Sequence, residues 1–198
     1  NQAALGDRAA LRERLSYSLL AEWPAQVLHQ AEGERIVLSR AGKGDRVPGI
    51  WLPGRGTAAL VVDPEGAAAA RHRPEVQKLV KAGRPVLLID AFQTGTAVTT
   101  RPKQDGFYLT FNRSDDANRV QDILTALAYL KKSGDVELIG LGKASVWALF
   151  AAAVAPSPVK LQADLGSFRG SDQDFINGFF VPGIQRAGGL QAAQLLAR

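Results

Sequence analysis

The sequence predicts an α/β domain, a three-layer sandwich in which a mostly parallel sheet carries helices on both faces. Short continuous apolar runs, which are typical of strands covered on both faces, alternate along the chain with segments of helical periodicity. Ahead of the first such run, two segments with alternating apolar residues flank a glycine-rich turn, a pattern typical of an antiparallel pair. A chain of 198 residues, 46% of them hydrophobic, is long enough for one such core.

The first part of the chain predicts a helix and then two antiparallel strands. Leucines at helical spacing indicate a helix from Arg8 to His29, and Asp7 stands before it as an N-cap. The strands are predicted at Glu34 to Ser39 and at Val47 to Leu52. We therefore expect an N-terminal helical segment over residues 1–33 and an α/β domain over residues 34–198.

Strands and helices alternate through the rest of the chain. The long helix has the strongest boundary signals, because Ser114 is an N-cap residue type and Gly134 follows the last apolar position. Residues 93–110 form the longest irregular stretch, which we expect to border a site. The predicted elements are strand 58–62, helix 74–81, strand 85–89, helix 114–132, strand 136–139, helix 145–154 and strand 159–163.

Composition argues against several classes of function. The net charge of +5 comes from basic residues scattered along the chain, so no nucleic-acid partner is expected. The absence of cysteine excludes disulfides and thiolate metal sites, and the two isolated histidines lack the spacing of a zinc site. No apolar run approaches the ~20 residues of a membrane span. We expect no metal, cofactor or membrane partner.

The turn between the predicted strand 136–139 and the next helix carries the most informative motif. Gly140 and Ala144 occupy the two small-residue positions of a G-x-S-x-G nucleophile elbow, where low bulk lets a strand turn sharply into a helix. The central position of that motif is Gly142 instead of serine.

From about Glu34 onward the chain resembles bacterial α/β-hydrolases related to acetyl xylan esterases and dienelactone hydrolases. The resemblance rests on four segments and on the order of elements, and it covers about four fifths of the chain. The segments are Val61-Val62-Asp63-Pro64-Glu65-Gly66, Leu87-Leu88-Ile89-Asp90-Ala91-Phe92, Asn112-Arg113-Ser114-Asp115-Asp116-Ala117 and Gly140 to Trp147.

The resemblance implies a degenerate site. It places Gly142 at the nucleophile position and assigns oxyanion-binding backbone N–H groups to Lys143 and to the loop with Gly66 and Ala67. The acid and histidine of the family's triad, with the last strands of the sheet, are expected beyond Arg198. A chain that begins at Asn1 and lacks methionine fits a piece of a longer product. Active relatives imply esters of plant polysaccharides as substrates and export from a bacterial cell.

Few other side chains are candidates for catalysis. Ser145 is a weak candidate for a displaced nucleophile, because it lies about one turn into the predicted helix. His72 is a weak candidate base, and His29 is expected in the N-terminal helix. Asp63, Asp90 and Asp164 each follow a predicted parallel strand, where they either border a crevice or cap the next element.

Two alternatives remain open, together with one expectation about assembly. Gly140, Gly142 and Ser145, with Asp164 after the next strand, also resemble part of a dinucleotide-binding fingerprint for NAD or NADP. The domain could instead be a noncatalytic module that binds an ester or carbohydrate ligand, or another protein. If strand 159–163 is an open edge, we expect it to pair with a second copy or with a C-terminal remainder of the product.

Overall fold

The computed structural model describes residues 7–100 and 112–198. The predicted helix at the start is correct as far as Leu19, and Asp7 caps it by accepting a hydrogen bond from the Ala10 N–H at 3.0 Å. Beyond Leu19 the prediction is wrong, because the chain turns at Leu20 and enters a strand that contains His29. Pro24, which has no N–H to donate, stands between the two elements.

The described elements begin with a helix and a strand meander. They are α1 (Arg8–Leu19), β1 (Val27–Glu32), β2 (Arg35–Arg40), β3 (Val47–Leu52), β4 (Ala58–Val62), α2 (Ala67–Ala70), α3 (Pro74–Lys81) and β5 (Val86–Ile89), then a 3₁₀ turn (Gly95–Ala97), α4 (Asp115–Leu130), a second 3₁₀ turn (Lys131–Ser133), β6 (Val136–Gly140), α5 (Ala144–Val154), β7 (Lys160–Ala163), α6 (Asp172–Gly178) and α7 (Gly189–Leu196).

The seven strands form one mixed sheet in the order β1-β2-β3-β5-β4-β6-β7. β1, β2 and β3 are antiparallel to their neighbours, and β4, β5, β6 and β7 run parallel to one another. Three antiparallel strands therefore precede the parallel part, where two were predicted. The additional one is β1, whose residues were assigned to the helix.

Helices cover both faces of the sheet, which confirms the three-layer sandwich. One face packs against α1, α4, α5 and α7 in a large core, with Leu60, Leu87 and Leu138 fully buried. The other face packs against α2 and α3 in a smaller core around Val61 and Leu88. None of the helices in the described ranges combines the length and apolar composition that a bilayer crossing requires.

The chain reverses its direction of travel across the sheet between β4 and β6. From β4 it crosses to β5 on one side, whereas from β6 it moves on to β7 on the other. In open α/β sheets a crevice forms at such a switch point, at the carboxyl ends of the strands. The turns that follow β4 and β6 therefore lie on the two sides of a crevice.

Candidate functional site

The turn after β6 is short and held by backbone hydrogen bonds. Leu141 N–H donates to the Val62 carbonyl at 2.9 Å, which ties the turn to the end of β4. The N–H groups of Ala144 and Ser145 bond back to Leu141 and Gly142 at 2.9 and 3.1 Å. The N–H groups of Gly142 and Lys143 take part in none of the hydrogen bonds among the described residues. These two N–H groups are therefore unpaired donors, among the described residues, at the start of α5.

Gly140 is required by close packing of the strand against α5. A Cβ atom at this position would lie 2.6 Å from Ser145 Cα and 2.8 Å from Ala148 Cβ. These distances are too short for any side chain, so the helix can pack this closely only against glycine. The prediction that a small residue at position 140 permits the sharp turn agrees with this geometry.

Gly142 has a different environment. Its φ is +50°, in the left-handed region that L side chains rarely adopt, and an added Cβ would meet only Pro64 Cγ at 3.8 Å. The position is exposed at the tip of the turn. A strained backbone at a sharp strand-to-helix turn is also the geometry of a nucleophile elbow. The turn therefore has the backbone shape and the space for a side chain, and it carries none.

A cleft of about 550 Å³ opens beside Gly142. Lys143 and Val146 line it from the turn and α5, Asp164 from the end of β7, and Phe168 from the segment that follows. The polar side chains of α6 complete the opposite wall. They are Gln173, Asp174 and Asn177.

Ser145 faces away from the cleft. Its side chain is fully buried, and its hydroxyl donates a hydrogen bond to the Gly140 carbonyl at 2.8 Å. The hydroxyl thus joins the end of β6 to the first turn of α5, as serines near helix starts commonly do.

Neither histidine lines the cleft beside Gly142. His72 is exposed and follows α2. His29 lies on β1, five positions from β6 in the strand order, with its ring 5.2 Å from that of Tyr129. At ~4.8 Å per strand, this separation is roughly 24 Å, too far for the His29 imidazole to take a proton from a group at Gly142.

The loop after β4 uses the N–H groups that were predicted to bind an oxyanion. Gly66 N–H donates to the Asp63 carbonyl at 3.0 Å, and Ala67 N–H donates to the Asp90 carboxylate at 2.6 Å. Of the three predicted donors, Lys143 is therefore the one whose N–H stays without an acceptor among the described residues.

The three acids at strand ends divide into two groups. Asp63 is fully buried and bound by the Arg73 guanidinium at 2.7 Å, and Asp90 is 4% exposed and also bonds Thr96 N–H at 3.1 Å. Both tie loops together. Asp164 is exposed on the cleft and accepts a hydrogen bond from Gly166 N–H at 2.9 Å. Of the three, it alone faces a ligand-sized space in the described part of the chain.

No family model and no curated protein matches this chain. Among solved structures it is similar to an acetyl xylan esterase from Paenibacillus sp. R4, with a TM-score of 0.47 and 16% identity over 96% of this chain and 72% of that one. It is also similar to acetyl xylan esterase 1 from Thermoanaerobacterium sp. JW/SL YS485, with a TM-score of 0.46 and 13% identity over 75% of this chain and 55% of that one. A third similar structure is Est1E from Butyrivibrio proteoclasticus, solved with ferulic acid, with a TM-score of 0.40 and 16% identity over 56% of this chain and 45% of that one.

The chain spans about half the length of the second and third of these structures. At such identities and scores these likenesses carry no argument about the family or the activity of this chain. The sandwich itself is established by the strand order and by the helices on both faces of the sheet.

The sequence analysis missed a buried polar cluster beside the turn. Asp116 and Arg119 of α4 form an ion pair at 2.8 Å, and the Arg119 guanidinium lies 4.6 Å from the centre of the Trp147 ring. Burial is the main cause that raises the pKa of Asp116 above its ordinary value. The sequence signal for this cluster was a pair of charged residues three positions apart on the first turns of α4. The same pair is equally typical of a capped helix start that faces solvent.

Asp122 is a second carboxyl group with a perturbed environment. It accepts a hydrogen bond from Phe92 N–H at 2.8 Å, and burial raises its pKa to about 8. Its hydrogen bond with Phe92 N–H joins α4 to the loop after β5, and burial favours its protonated form. The irregular stretch predicted at residues 93–110 is described up to residue 100, and its remainder lies outside the described residues.

Proposed function

We propose that this chain is a hydrolase-like domain that binds a ligand at the carboxyl end of its sheet without hydrolysing it. The observation that carries the proposal is Gly142, a glycine with φ of +50° at the tip of the turn after β6, on the edge of the cleft of about 550 Å³. In the elbow that this turn resembles, the corresponding residue supplies the attacking oxygen. Glycine has no such atom.

Of the candidates within residues 7–100 and 112–198, none offers a substitute for the nucleophile. The Ser145 hydroxyl is buried and bonded to a carbonyl, and neither histidine lines the cleft beside the turn. Removal of triad members leaves only ~10³ to 10⁴-fold acceleration over water, which comes from oxyanion binding and positioning. With Gly66 and Ala67 engaged inside their own loop, we expect even less in this chain.

Hydrolysis of p-nitrophenyl acetate tests the proposal. We expect the purified protein to match the buffer rate, and Ser145→Ala and Gly142→Ser to match it as well, because no histidine of the described residues lines the cleft beside position 142. Turnover by the unmodified protein that Ser145→Ala abolishes is the result that overturns it. If the activity persists unchanged in both variants and separates from the protein on a further column, it belongs to a contaminant.

The lining of the cleft supports an ester or carbohydrate as the ligand. Carboxylate and amide groups from Asp164, Gln173 and Asn177 stand with the Phe168 ring around one space. Such a mixture of polar groups with an aromatic ring suits a hydroxyl-rich molecule with apolar faces. Calorimetry with acetylated xylo-oligosaccharides, followed by analysis of the recovered sugar, should detect binding with the acetyl groups intact. No heat with any of them removes this class of ligand.

Nucleotide binding is a second candidate because Gly142 and Asp164 border the same cleft. In the dinucleotide interpretation the pyrophosphate would sit at the start of α5 and Asp164 would bond the ribose. Ser145 would take no part, since its hydroxyl is bonded to Gly140. Titration calorimetry with NAD and NADP distinguishes the candidates, and the hydrolase-like proposal expects no heat from either.

We also propose that β7 pairs with another strand, from a second copy or from a further segment of the same product. Among the described strands β7 pairs with β6 on one side only, and Lys160 and Gln162 are exposed. An open edge of this kind is a template for strand addition. A monomer in solution scattering, with fast hydrogen exchange at residues 160–163, contradicts this proposal.

A further inference from the structure

A second, smaller cavity of about 260 Å³ lies at the switch point of the sheet. Pro64 lines it from the turn after β4 and Lys143 from the turn after β6, so it occupies the crevice between the two turns where the chain changes direction. The start of α4 forms its inner wall with Asp116 and Arg119. Its size limits an occupant to a small molecule of about ten non-hydrogen atoms or fewer.

Trp147 presents a donor to this cavity that makes no hydrogen bond of normal geometry. The side chain is 4% exposed and lines the cavity, and its buried Nε1–H has no such bond in the described part of the chain. The Asp116 carboxylate is the acceptor near it, and the interaction between the two lowers the pKa of Asp116 in part. Buried indole N–H groups normally find an acceptor, because an unmade hydrogen bond is costly. The Arg119 guanidinium above the ring at 4.6 Å draws electron density from it, which strengthens the N–H as a donor.

Asp116 presents an acceptor to the same cavity. Its two oxygens accept from Arg119 Nη1 at 2.8 Å and from Phe180 N–H at 2.7 Å. A carboxylate has about four acceptor positions, so two remain. The raised pKa of Asp116, caused mainly by burial, indicates that its contacts with Arg119, Phe180 and Trp147 compensate its charge only in part. One wall thus holds a donor and an acceptor that form no hydrogen bond of normal geometry with each other, and a hydroxyl group between them satisfies both.

Another part of the cavity lining is positive. Lys143 lines the cavity, its ammonium makes no ion pair with any described residue, and its N–H at the start of α5 has no acceptor among the described residues. A helix start with a free lysine beside it favours an anionic group. The complementary molecule therefore carries a hydroxyl at one end and a negative charge at the other.

We propose that this cavity binds a short hydroxycarboxylate. Its hydroxyl accepts from Trp147 Nε1 and donates to Asp116, and its carboxylate lies at Lys143 and the start of α5. The site stands on Trp147, Asp116 and Lys143, and it does not depend on whether the chain hydrolyses esters.

A three-carbon series of probes tests this assignment by NMR. The protein contains three tryptophans, Trp23, Trp51 and Trp147, so three indole ¹H–¹⁵N signals are expected, and Trp147→Phe assigns the third. L-lactate and 3-hydroxypropionate should shift the Trp147 signal saturably, with dissociation constants near 1 mM for at least one of them, about what six heavy atoms provide. Trp23 and Trp51 should not move.

Matched probes and one surface variant distinguish the contribution of the hydroxyl to binding from that of the carboxylate. Propionate lacks the hydroxyl and propane-1,2-diol lacks the carboxylate, and each should bind at least about tenfold more weakly. Lys143→Gln, an exposed position, should weaken lactate about fivefold and leave the diol unchanged. Equal binding of propionate and lactate overturns the hydroxyl contact. The site is overturned if the Trp147 signal moves with neither L-lactate nor 3-hydroxypropionate at about 100 mM.

Discussion

Gly140 and Gly142 are two positions apart on one turn, and an added methyl group meets opposite surroundings at the two. At Gly140 it would overlap the Ser145 backbone at 2.6 Å, whereas at Gly142 its nearest neighbour is Pro64 Cγ at 3.8 Å. Packing therefore requires the first glycine. Packing does not require the second, where a side chain would meet only the cost of a positive φ.

The same division runs through the whole crevice. A buried frame, which includes Gly140, Ser145 and Asp90, sets where the turns lie, and an exposed lining, which includes Gly142 and Asp164, faces the space between them. The lining can change its chemistry while the frame keeps its shape. Such independence permits the proposed state of the turn, an elbow that keeps its bend and carries no hydroxyl.

The largest expected effect is that of Gly140→Ala. A Cβ 2.6 Å from a backbone carbon must displace α5 or the end of β6, and overpacking of this kind costs about 3 kcal/mol or more. Urea denaturation followed by tryptophan fluorescence measures the loss. If Gly140→Ala loses less than about 1 kcal/mol, the frame is softer than the packing implies and the comparison of the two glycines fails.

The frame is also the part that the sequence predicts well. The buried strands, the capped helix at Ser114 and the small residue at position 140 all follow from local patterns, because apolar runs and cap residues have few alternative explanations. The error at His29 arose because α1 and β1 both carry apolar residues at spacings that a helix can accommodate, and pairing with β2 decides the outcome. Local periodicity does not indicate such long-range pairing.

Asp90→Asn should have the next largest effect. The Asp90 carboxylate accepts from Ala67 N–H at 2.6 Å and from Thr96 N–H at 3.1 Å, so an amide would turn its NH₂ group toward one of these donors. Loss of a charged, buried hydrogen bond costs about 2 kcal/mol. Asp164→Asn is the matched control, since Asp164 also follows a strand but is exposed, and it should stay within about 0.5 kcal/mol of the unmodified protein. Equal losses in both variants contradict the division between frame and lining.

The raised pKa of Asp122, which joins α4 to the loop after β5 within the frame, predicts that the stability of the protein depends on pH. Its pKa in the folded protein is about 8 against an ordinary 3.8, mainly because of burial, so between these values the folded state holds a proton that the unfolded chain has lost. The free energy of unfolding should therefore fall as the pH rises from about 4 to about 8, by more than the ~1.4 kcal/mol of one pKa unit. Asp122→Asn cannot ionise and should remove most of this slope. A slope that survives the substitution assigns the dependence to another group.

The lining could be predicted only in outline. The sequence located the turn around Gly142, because the glycine-rich motif is short and local, and it placed Asp164 at a strand end. It did not locate the Trp147, Arg119 and Asp116 cluster, since these residues meet only when α4 and α5 pack side by side. Nor did it indicate that Ala67 N–H is already bound, because its acceptor Asp90 stands 23 positions away.

Gly142→Ala and Gly142→Asn should have the smallest effects and test the lining directly. Alanine at φ of +50° costs about 1 kcal/mol from backbone strain alone, whereas asparagine tolerates this conformation and should cost about half as much. Both variants should keep the far-UV spectrum of the unmodified protein, because the space beside position 142 is open. Asparagine is the larger residue, so a larger loss for Gly142→Asn than for Gly142→Ala means that crowding, and not φ, governs the position. In that case the space beside position 142 is smaller than the 3.8 Å to Pro64 Cγ implies, and the glycine is a requirement of the fold, not a lost nucleophile.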